Sequence, residues 1–267
     1  MVALQEGELV KKGHLMYGIF ILGTAGSGKS FLTASLAEWM IKEGEDVATL
    51  NLDPGVFKLP YEPDVDVRSY ISIEKLMDQY HLGPNGALVM ASDLVANQVS
   101  SLNEALDALN SDYCLVDTAG QMELFAFRES GSYLARELRF DQSAVVYLFD
   151  APFCVNPFNY VSTMFLSTAV YLRFMLPQLN VLSKIDLLPQ KKVKEILEWS
   201  SSPKALEATY SKQAGESAHL LARDLFTSIS RLRLDFSLIG CSAKSLQNFI
   251  SLHAALQRML TRGESEG

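Results

Sequence analysis

Short apolar stretches rich in β-branched residues alternate with longer helical patterns along most of the chain. Apolar runs without strict alternation are typical of strands that are covered on both faces, as in a parallel sheet. The pattern therefore predicts a three-layer, doubly wound α/β domain with a mostly parallel sheet. The expected strands are Leu15–Leu22, Val47–Leu52, Tyr113–Val116, Ala144–Phe149, Leu179–Leu182 and Phe236–Ile239.

Helical patterns occupy the segments between the strands. A glycine-rich turn after the first strand leads into a helix predicted from Ser30 to about Lys42, and Gly44 is suited to end that helix. Two longer connecting segments are predicted to be mostly helical insertions. The predicted division of the chain is an N-terminal extension at 1–15, one domain at 16–262 with insertions at about 53–112 and 190–232, and a tail at 263–267.

Composition and charge narrow the class of protein. The chain has 267 residues, of which 48% are hydrophobic and 20% charged, the balance of a folded globular protein rather than a disordered or fibrous one. A net charge of −8 gives no general attraction to nucleic acid or to an anionic membrane, so neither is an expected partner. There is no uninterrupted apolar run of ~18 residues and no signal-like start, so a cytoplasmic protein is expected. Three widely spaced cysteines are predicted to be buried, reduced thiols, namely Cys114, Cys154 and Cys241.

The most informative chemical motif lies directly after the first strand. The segment GTAGSGKS fits the phosphate-binding pattern G-x-x-x-x-G-K-[ST], and it lies between a strand and a helix as that pattern requires. Its backbone N–H groups would cradle phosphates, while Lys29 would reach the β- and γ-phosphates and Ser30 would bind Mg²⁺. The predicted nucleotide-contacting residues are Gly23, Thr24, Ala25, Gly26, Ser27, Gly28, Lys29, Ser30 and Phe31.

Residues suited to metal binding and water activation follow the next strands. Asp117, at the end of a strand, is predicted to bind Mg²⁺ through water, and the Gly120 N–H to meet a γ-phosphate. Asp53, after the second strand, is a further candidate for contact with Mg²⁺-bound water or the nucleophile, although a plain Asp-Pro turn is the alternative. Gln121 and Glu123 would orient and polarise the attacking water, unless they only form the first turn of a helix.

Two segments at later strand ends carry groups suited to guanine. Ser183-Lys184-Ile185-Asp186 has the form [NST]-K-x-D, in which Asp186 would accept hydrogen bonds from the guanine ring N–H and exocyclic amine. Lys184 would pack along the plane of the base, although a solvated Lys/Asp pair is the alternative. After the last strand, Cys241-Ser242-Ala243-Lys244 resembles a loop whose alanine N–H contacts the guanine oxygen, so Ser242, Ala243 and Lys244 join the predicted binding residues.

Gly83-Pro84-Asn85 is the most distinctive motif of the first insertion, although alone it indicates only a tight turn. Together with the other motifs it resembles the signature of the GPN-loop GTPases, over nearly the whole chain from Met16. Ala119 differs, because the family usually has proline there. The motifs that carry the resemblance are GTAGSGKS, Asn51-Leu52-Asp53-Pro54, Gly83-Pro84-Asn85, Asp117-x-x-Gly120-Gln121-x-Glu123-Leu124-Phe125 and Ser183-Lys184-x-Asp186-Leu187-Leu188.

The resemblance implies a Mg²⁺-dependent enzyme that binds GTP, hydrolyses it to GDP and acts as a nucleotide-controlled homodimer, similar to a compact, archaeal-type member. It implies that Gly83, Pro84 and Asn85 complete the partner's site without an arginine finger. A protein client such as an RNA polymerase assembly is implied by the resemblance alone. The catalytic residues would then be Lys29, Asp53, Asn85, Gln121 and Glu123, and the metal ligands Ser30, Asp53 and Asp117.

Two other functions stay open on the sequence. One is a P-loop kinase that transfers the γ-phosphoryl group to a small acceptor or a nucleic-acid end, with Arg223, Arg231 and Arg233 as candidates for a basic lid. The other is a scaffold that binds nucleotide with negligible turnover. Phosphate release from GTP without an acceptor separates a GTPase from a kinase, and single-turnover hydrolysis separates it from a scaffold.

Overall fold

The computed structural model describes residues 15–213 and 237–261, and a seven-stranded sheet forms its centre. The strands are β1 Tyr17–Gly23, β2 Val47–Asn51, β3 Val65–Asp66, β4 Tyr113–Asp117, β5 Gln142–Asp150, β6 Gln178–Ser183 and β7 Leu238–Gly240. Their order is β3-β2-β4-β1-β5-β6-β7, and every pairing between neighbouring strands is parallel. The carboxyl ends of these strands therefore meet at one edge of the sheet.

Helices cover both faces of the sheet. In the described part of the chain they are α1 Lys29–Lys42, α2 Ile73–Tyr80, α3 Pro84–Leu94, α4 Val99–Asp107, α5 Met122–Phe125, α6 Glu129–Glu137, α7 Ala151–Cys154, α8 Pro157–Phe174, α9 Gln190–Ser201, α10 Pro203–Gln213 and α11 Phe249–Thr261. Short 3₁₀ turns lie at Val67–Ser69, Val95–Gln98 and Ile185–Leu187.

The apolar runs of the strands fill two separate cores. Ile19 and Ile21 of β1 belong to the core beneath α1 and α11, whereas Phe20 and Leu22 belong to the core on the other face. Because successive strand side chains point to opposite faces, a central strand needs an apolar residue at nearly every position. The predicted three-layer α/β class is confirmed.

The positions of the predicted elements agree with the structure in most places. Strands form at all six predicted positions, although Phe236 lies outside the described residues. The helix predicted from Ser30 is α1, and Gly44 just beyond it has a φ of 96°. The short strand β3, of two residues, was missed. The three cysteines are buried and unpaired as predicted.

Several predictions concern residues outside the described ranges. Residues 1–14, the arginines proposed for a lid at 223, 231 and 233, and the tail at 263–267 all lie outside the ranges that the structure describes. Within those ranges, no helix combines the length and apolar character that crossing a membrane would require.

Candidate nucleotide-binding site

The glycine-rich loop at 23–28 joins β1 to α1 at the carboxyl edge of the sheet. Gly26 and Gly28 have φ values of 75° and 97°, a left-handed conformation that strains other residues. At Gly23 a Cβ would lie 2.7 Å from Ser27 Oγ, so a side chain there would collide with the loop itself. The glycines therefore allow the tight turn that a phosphate-binding loop needs.

Lys29, at the start of α1, lies at the centre of the site and is only 5% exposed. Its Nζ donates hydrogen bonds to three backbone oxygens, those of Gly23 at 3.0 Å, Thr24 at 3.1 Å and Gly120 at 3.1 Å. Burial lowers the pKa of Lys29, and the nearby carboxylates, Asp117 foremost, oppose that effect. The ammonium therefore connects the loop to the segment that follows β4.

Asp117, the last residue of β4, is 1% exposed. Burial raises its pKa to about 6, although hydrogen bonds from Ser30 and Tyr61 and the charge of Lys29 act in the opposite direction. The Tyr61 hydroxyl donates a hydrogen bond to Oδ2 over 3.1 Å. The other oxygen, Oδ1, is buried and makes no hydrogen bond to the described residues. A buried carboxylate oxygen of this kind fits a site for a cation or its water ligand.

Asp53 lies two residues beyond β2 and contacts the segment after β4. Its Oδ2 accepts a hydrogen bond from the Gly120 N–H at 2.7 Å, and its Oδ1 accepts one from the Gly55 N–H at 2.9 Å. The side chain of Asn51 accepts a hydrogen bond from the Asp53 N–H at 3.0 Å and donates to the Asp53 backbone oxygen at 3.2 Å. The structure thus brings together the two predicted metal-site carboxylates, Asp53 and Asp117, beside Lys29.

The sequence reasoning missed a set of residues that supports Asp53. Asn51 also donates to Asp66 Oδ1 at 2.9 Å, and Arg68 binds both oxygens of Asp66, with Nη2 at 2.6 Å from Oδ2. Although burial acts against it, this bonding lowers the pKa of Asp66. Arg68 further donates to the Val56 oxygen at 3.1 Å. The only sequence signal for this set was the spacing of Asp66 and Arg68, with a valine on either side of Asp66.

A cavity of about 310 Å³ adjoins the loop where a base would lie. Asp186 lies at its rim, and its Oδ1 accepts a hydrogen bond from the buried Ser242 hydroxyl at 2.6 Å. This bond fixes the carboxylate and leaves its second oxygen for a ligand. The lining residues include most of the predicted base-binding set: Ser27, Gly28, Phe31, Leu32, Val181, Ser183, Lys184, Asp186, Leu187, Cys241, Ala243 and Lys244.

Two residues at the end of β6 connect the base cavity to the phosphate loop. Ser183 donates to the Ser27 oxygen at 2.9 Å, and Lys184 donates to the Gly26 oxygen and to Asp150 Oδ2, the latter at 2.9 Å. The Lys184 side chain therefore lies beside the cavity with its charge paired. Its partners are the Gly26 oxygen and Asp150, and not Asp186.

Other predicted residues lie at the surface. Gly83 caps α3 and Pro84 opens it, so the GPN segment begins a helix and the tight-turn interpretation is wrong; proline suits this first position because no N–H is needed there. Asn85 is exposed, and within the described residues no hydrogen bond joins its side chain to the phosphate loop. Gln121 caps α5 and Glu123 lies in its first turn, both exposed.

The chain is similar to several known proteins. A family model described as "Conserved hypothetical ATP binding protein" matches residues 21–262. The GPN-loop GTPase QQT1 of Arabidopsis thaliana is 37% identical over 65% of this chain and 60% of its own length. The GPN-loop GTPase 3 of Kluyveromyces lactis is 30% identical over 83% of this chain and 82% of its own.

A solved structure agrees with these sequence relatives. The crystal structure of PAB0955, described as a GTPase in apo form from Pyrococcus abyssi, superposes with a TM-score of 0.80 at 30% identity. It covers 91% of this chain and 97% of its own. In the sequence comparison, the Pyrococcus protein is 36% identical over 65% of this chain and 69% of its own length.

Proposed function

Because the chain belongs to the family of GPN-loop GTPases, we propose that it binds GTP with Mg²⁺ and hydrolyses it to GDP and phosphate. One observation carries the proposal, namely that a glycine-rich loop centred on Lys29, the carboxylates of Asp53 and Asp117, and the cavity beside Asp186 lie along one sheet edge. Ligands of parallel α/β sheets bind at this edge.

Each part of the site has a distinct task in this proposal. Lys29 would exchange its carbonyl acceptors for phosphate oxygens, since a buried ammonium must stay hydrogen-bonded. Ser30, Asp53 and Asp117 would hold Mg²⁺, for which hydroxyl and carboxylate oxygens are suitable ligands. When bound, the ion supplies positive charge beside the phosphates.

Guanine, rather than adenine, is the base that Asp186 suits. With Oδ1 held by Ser242, the carboxylate has a fixed orientation toward the cavity. A carboxylate is an acceptor only, and guanine offers a ring N–H and an amine where adenine offers no such pair. We therefore assign GTP, although the matching family model carries a description as an ATP-binding family.

The surface residues suggest a second part of the proposal, a homodimer. Gly83 has a φ of −71°, and a Cβ on it would meet no atom of the described residues within 4 Å, so neither its backbone conformation nor a contact in the described part of the chain requires glycine there. Asn85 is exposed at the same helix start and has an amide that both donates and accepts hydrogen bonds. We propose that this helix start contributes to the site of a second copy, with Gln121 and Glu123 orienting the water. A protein client stays a prediction.

Phosphate release tests the proposed activity. The full-length protein should release phosphate from GTP with Mg²⁺ and without any acceptor, and much more slowly from ATP. Lys29→Ala serves as the control for contaminating activity. GTP consumption that requires an added acceptor and leaves the phosphoryl group on that acceptor would favour a kinase, and an absence of hydrolysis in a single-turnover assay would favour a scaffold. A protein that is monomeric by light scattering with and without nucleotide would contradict the homodimer.

A further inference from the structure

Tyr61 contacts Asp117 from a loop that the sequence reasoning did not connect with the site. Its hydroxyl donates to Asp117 Oδ2 over 3.1 Å, although the two residues are 56 positions apart in the chain. We propose that Tyr61 is a positioning residue that holds Asp117 for Mg²⁺ binding. This inference rests on the proposed function, because it assigns a role toward the same ion.

The two oxygens of Asp117 have different surroundings, and that difference supports the proposal. Oδ2 accepts a hydrogen bond from the Tyr61 hydroxyl, whereas Oδ1 is buried and makes no hydrogen bond to the described residues. A phenol at neutral pH is protonated, so the bond has a defined direction. By fixing one oxygen, Tyr61 leaves the other oriented for the ion or for a water bound to it.

Lys29, whose charge acts on Asp117, does not hold this carboxylate in place. Lys29 Nζ donates to the carbonyl oxygens of Gly23, Thr24 and Gly120, and among the described contacts it has no direct ion pair with Asp117. Without the Tyr61 hydroxyl, the Asp117 carboxylate would be freer to rotate toward that ammonium. Outer partners of this kind commonly set the orientation of metal-binding carboxylates.

The loop that carries Tyr61 is itself fixed on β2 at both ends. At its start, Asn51 bonds the backbone of Asp53. At its end, Asp64 Oδ2 accepts hydrogen bonds from the N–H and the hydroxyl of Thr49, both at 2.8 Å. Tyr61 therefore approaches Asp117 from an anchored segment, and the contact does not depend on a free loop end.

Tyr61→Phe removes the hydroxyl and keeps the ring, and Tyr80→Phe, at an exposed tyrosine of α2, is the matched control. The affinity for a non-hydrolysable GTP analogue is measured by calorimetry in EDTA and across a Mg²⁺ titration, together with thermal unfolding. In EDTA, Tyr61→Phe should bind like the wild type. In the titration, its Mg²⁺ midpoint should rise about tenfold, and that of Tyr80→Phe should not change.

Two results would overturn the inference. One is a Tyr61→Phe midpoint equal to that of the wild type. The other is an equal loss of affinity in EDTA and in Mg²⁺, which would indicate a general structural role. A wild-type protein that binds the analogue with no response to Mg²⁺ would contradict the proposed metal dependence as well, and so identifies a failure of the proposed function.

Discussion

The carboxylate of Asp53 accepts a hydrogen bond from the backbone N–H of Gly120 at 2.7 Å. This N–H is the donor predicted for a γ-phosphate, so a carboxylate and a phosphate oxygen would compete for one N–H donor. On this hypothesis GDP, which has no γ-phosphate, would leave the contact intact. A triphosphate would displace Asp53, and this displacement would link the third phosphate to the loop after β2.

Asp53→Ala should therefore favour the triphosphate when no metal is present. We expect the ratio of affinities for a GTP analogue over GDP, in EDTA, to rise about tenfold, since a hydrogen bond to a charged group contributes about 1.5 kcal/mol. With Mg²⁺ the advantage should disappear because a metal ligand is lost. Calorimetry measures the ratio of affinities in EDTA and with Mg²⁺. Asp78→Ala, at an exposed aspartate, is the control. An unchanged ratio in EDTA would show that Asp53 does not compete.

Asp186→Asn should change which base is bound. The amide oxygen that this substitution introduces can still accept the bond from Ser242, so the amide N–H₂ would face the cavity, where it repels guanine donors and matches a xanthine carbonyl. The binding of GTP should weaken by about 3 kcal/mol, and the binding of xanthosine triphosphate should become tighter. Competition binding checks the exchange, and Asp186→Ala should weaken both nucleotides. Equal wild-type affinities for ATP and GTP would refute the assignment.

Gln121→Ala and Glu123→Ala should slow hydrolysis without weakening binding. Both residues are exposed beyond Gly120 and make no contact with the phosphate loop among the described hydrogen bonds. If they act on the attacking water, kcat should fall about 100-fold while the affinity for GTP stays the same. Single-turnover hydrolysis with a parallel binding measurement separates the two quantities. Wild-type rates in both variants would exclude this role.

Mixing two inactive variants tests action across a dimer. The Asn85→Ala chain keeps an intact phosphate loop, and the Lys29→Ala chain keeps an intact GPN segment. Each homodimer lacks one of these two parts, so each should hydrolyse GTP slowly. In a heterodimer the Lys29→Ala chain would supply Asn85 to its partner's intact loop, and turnover should return. The mixture is assayed for phosphate release, and heterodimer formation is verified with two different tags. Heterodimers without recovered turnover would rule out action in trans.

Asp117→Asn should stabilise the nucleotide-free protein at neutral pH. Burial raises the pKa of Asp117 from 3.8 to about 6, so the folded state binds the proton more tightly than the unfolded state does. Ionisation of Asp117 therefore costs stability as the pH rises through this range, and the neutral amide avoids a cost of about 3 kcal/mol. Urea unfolding in EDTA measures the difference, which should shrink between about pH 6 and about pH 4. A constant difference would contradict the shift.

Continuous motifs made much of this molecule predictable. The phosphate loop, Asp117 and the base segment each follow an apolar strand, and parallel strands bring their ends together without further information. The strand β3 was missed because a strand of two residues has no periodicity to detect. The start of α3 was not predicted, because Gly-Pro-Asn-Gly is as typical of a turn as of a helix start.

The supporting contacts could not be predicted for a different reason. Tyr61 reaches Asp117 from a loop with no regular hydrophobic pattern, and Asp66, which joins Asn51 to Arg68, lies in the two-residue strand that ends this loop. Which side chain of such a loop meets the site depends on the path of the backbone. That path is fixed by tertiary contacts such as that of Asp64 with Thr49, which local sequence does not encode.

The hydrogen bonds of Lys29 have an evolutionary consequence. All three of its acceptors are backbone carbonyls, belonging to Gly23, Thr24 and Gly120. A side-chain substitution at an acceptor position does not remove the backbone carbonyl. Thr24 can therefore be replaced without loss of this hydrogen bond, provided that the backbone conformation of the loop is unchanged. Selection on the position of the ammonium in the nucleotide-free protein therefore acts on the backbone conformation of the loop, which its glycines allow, and not on a partner side chain.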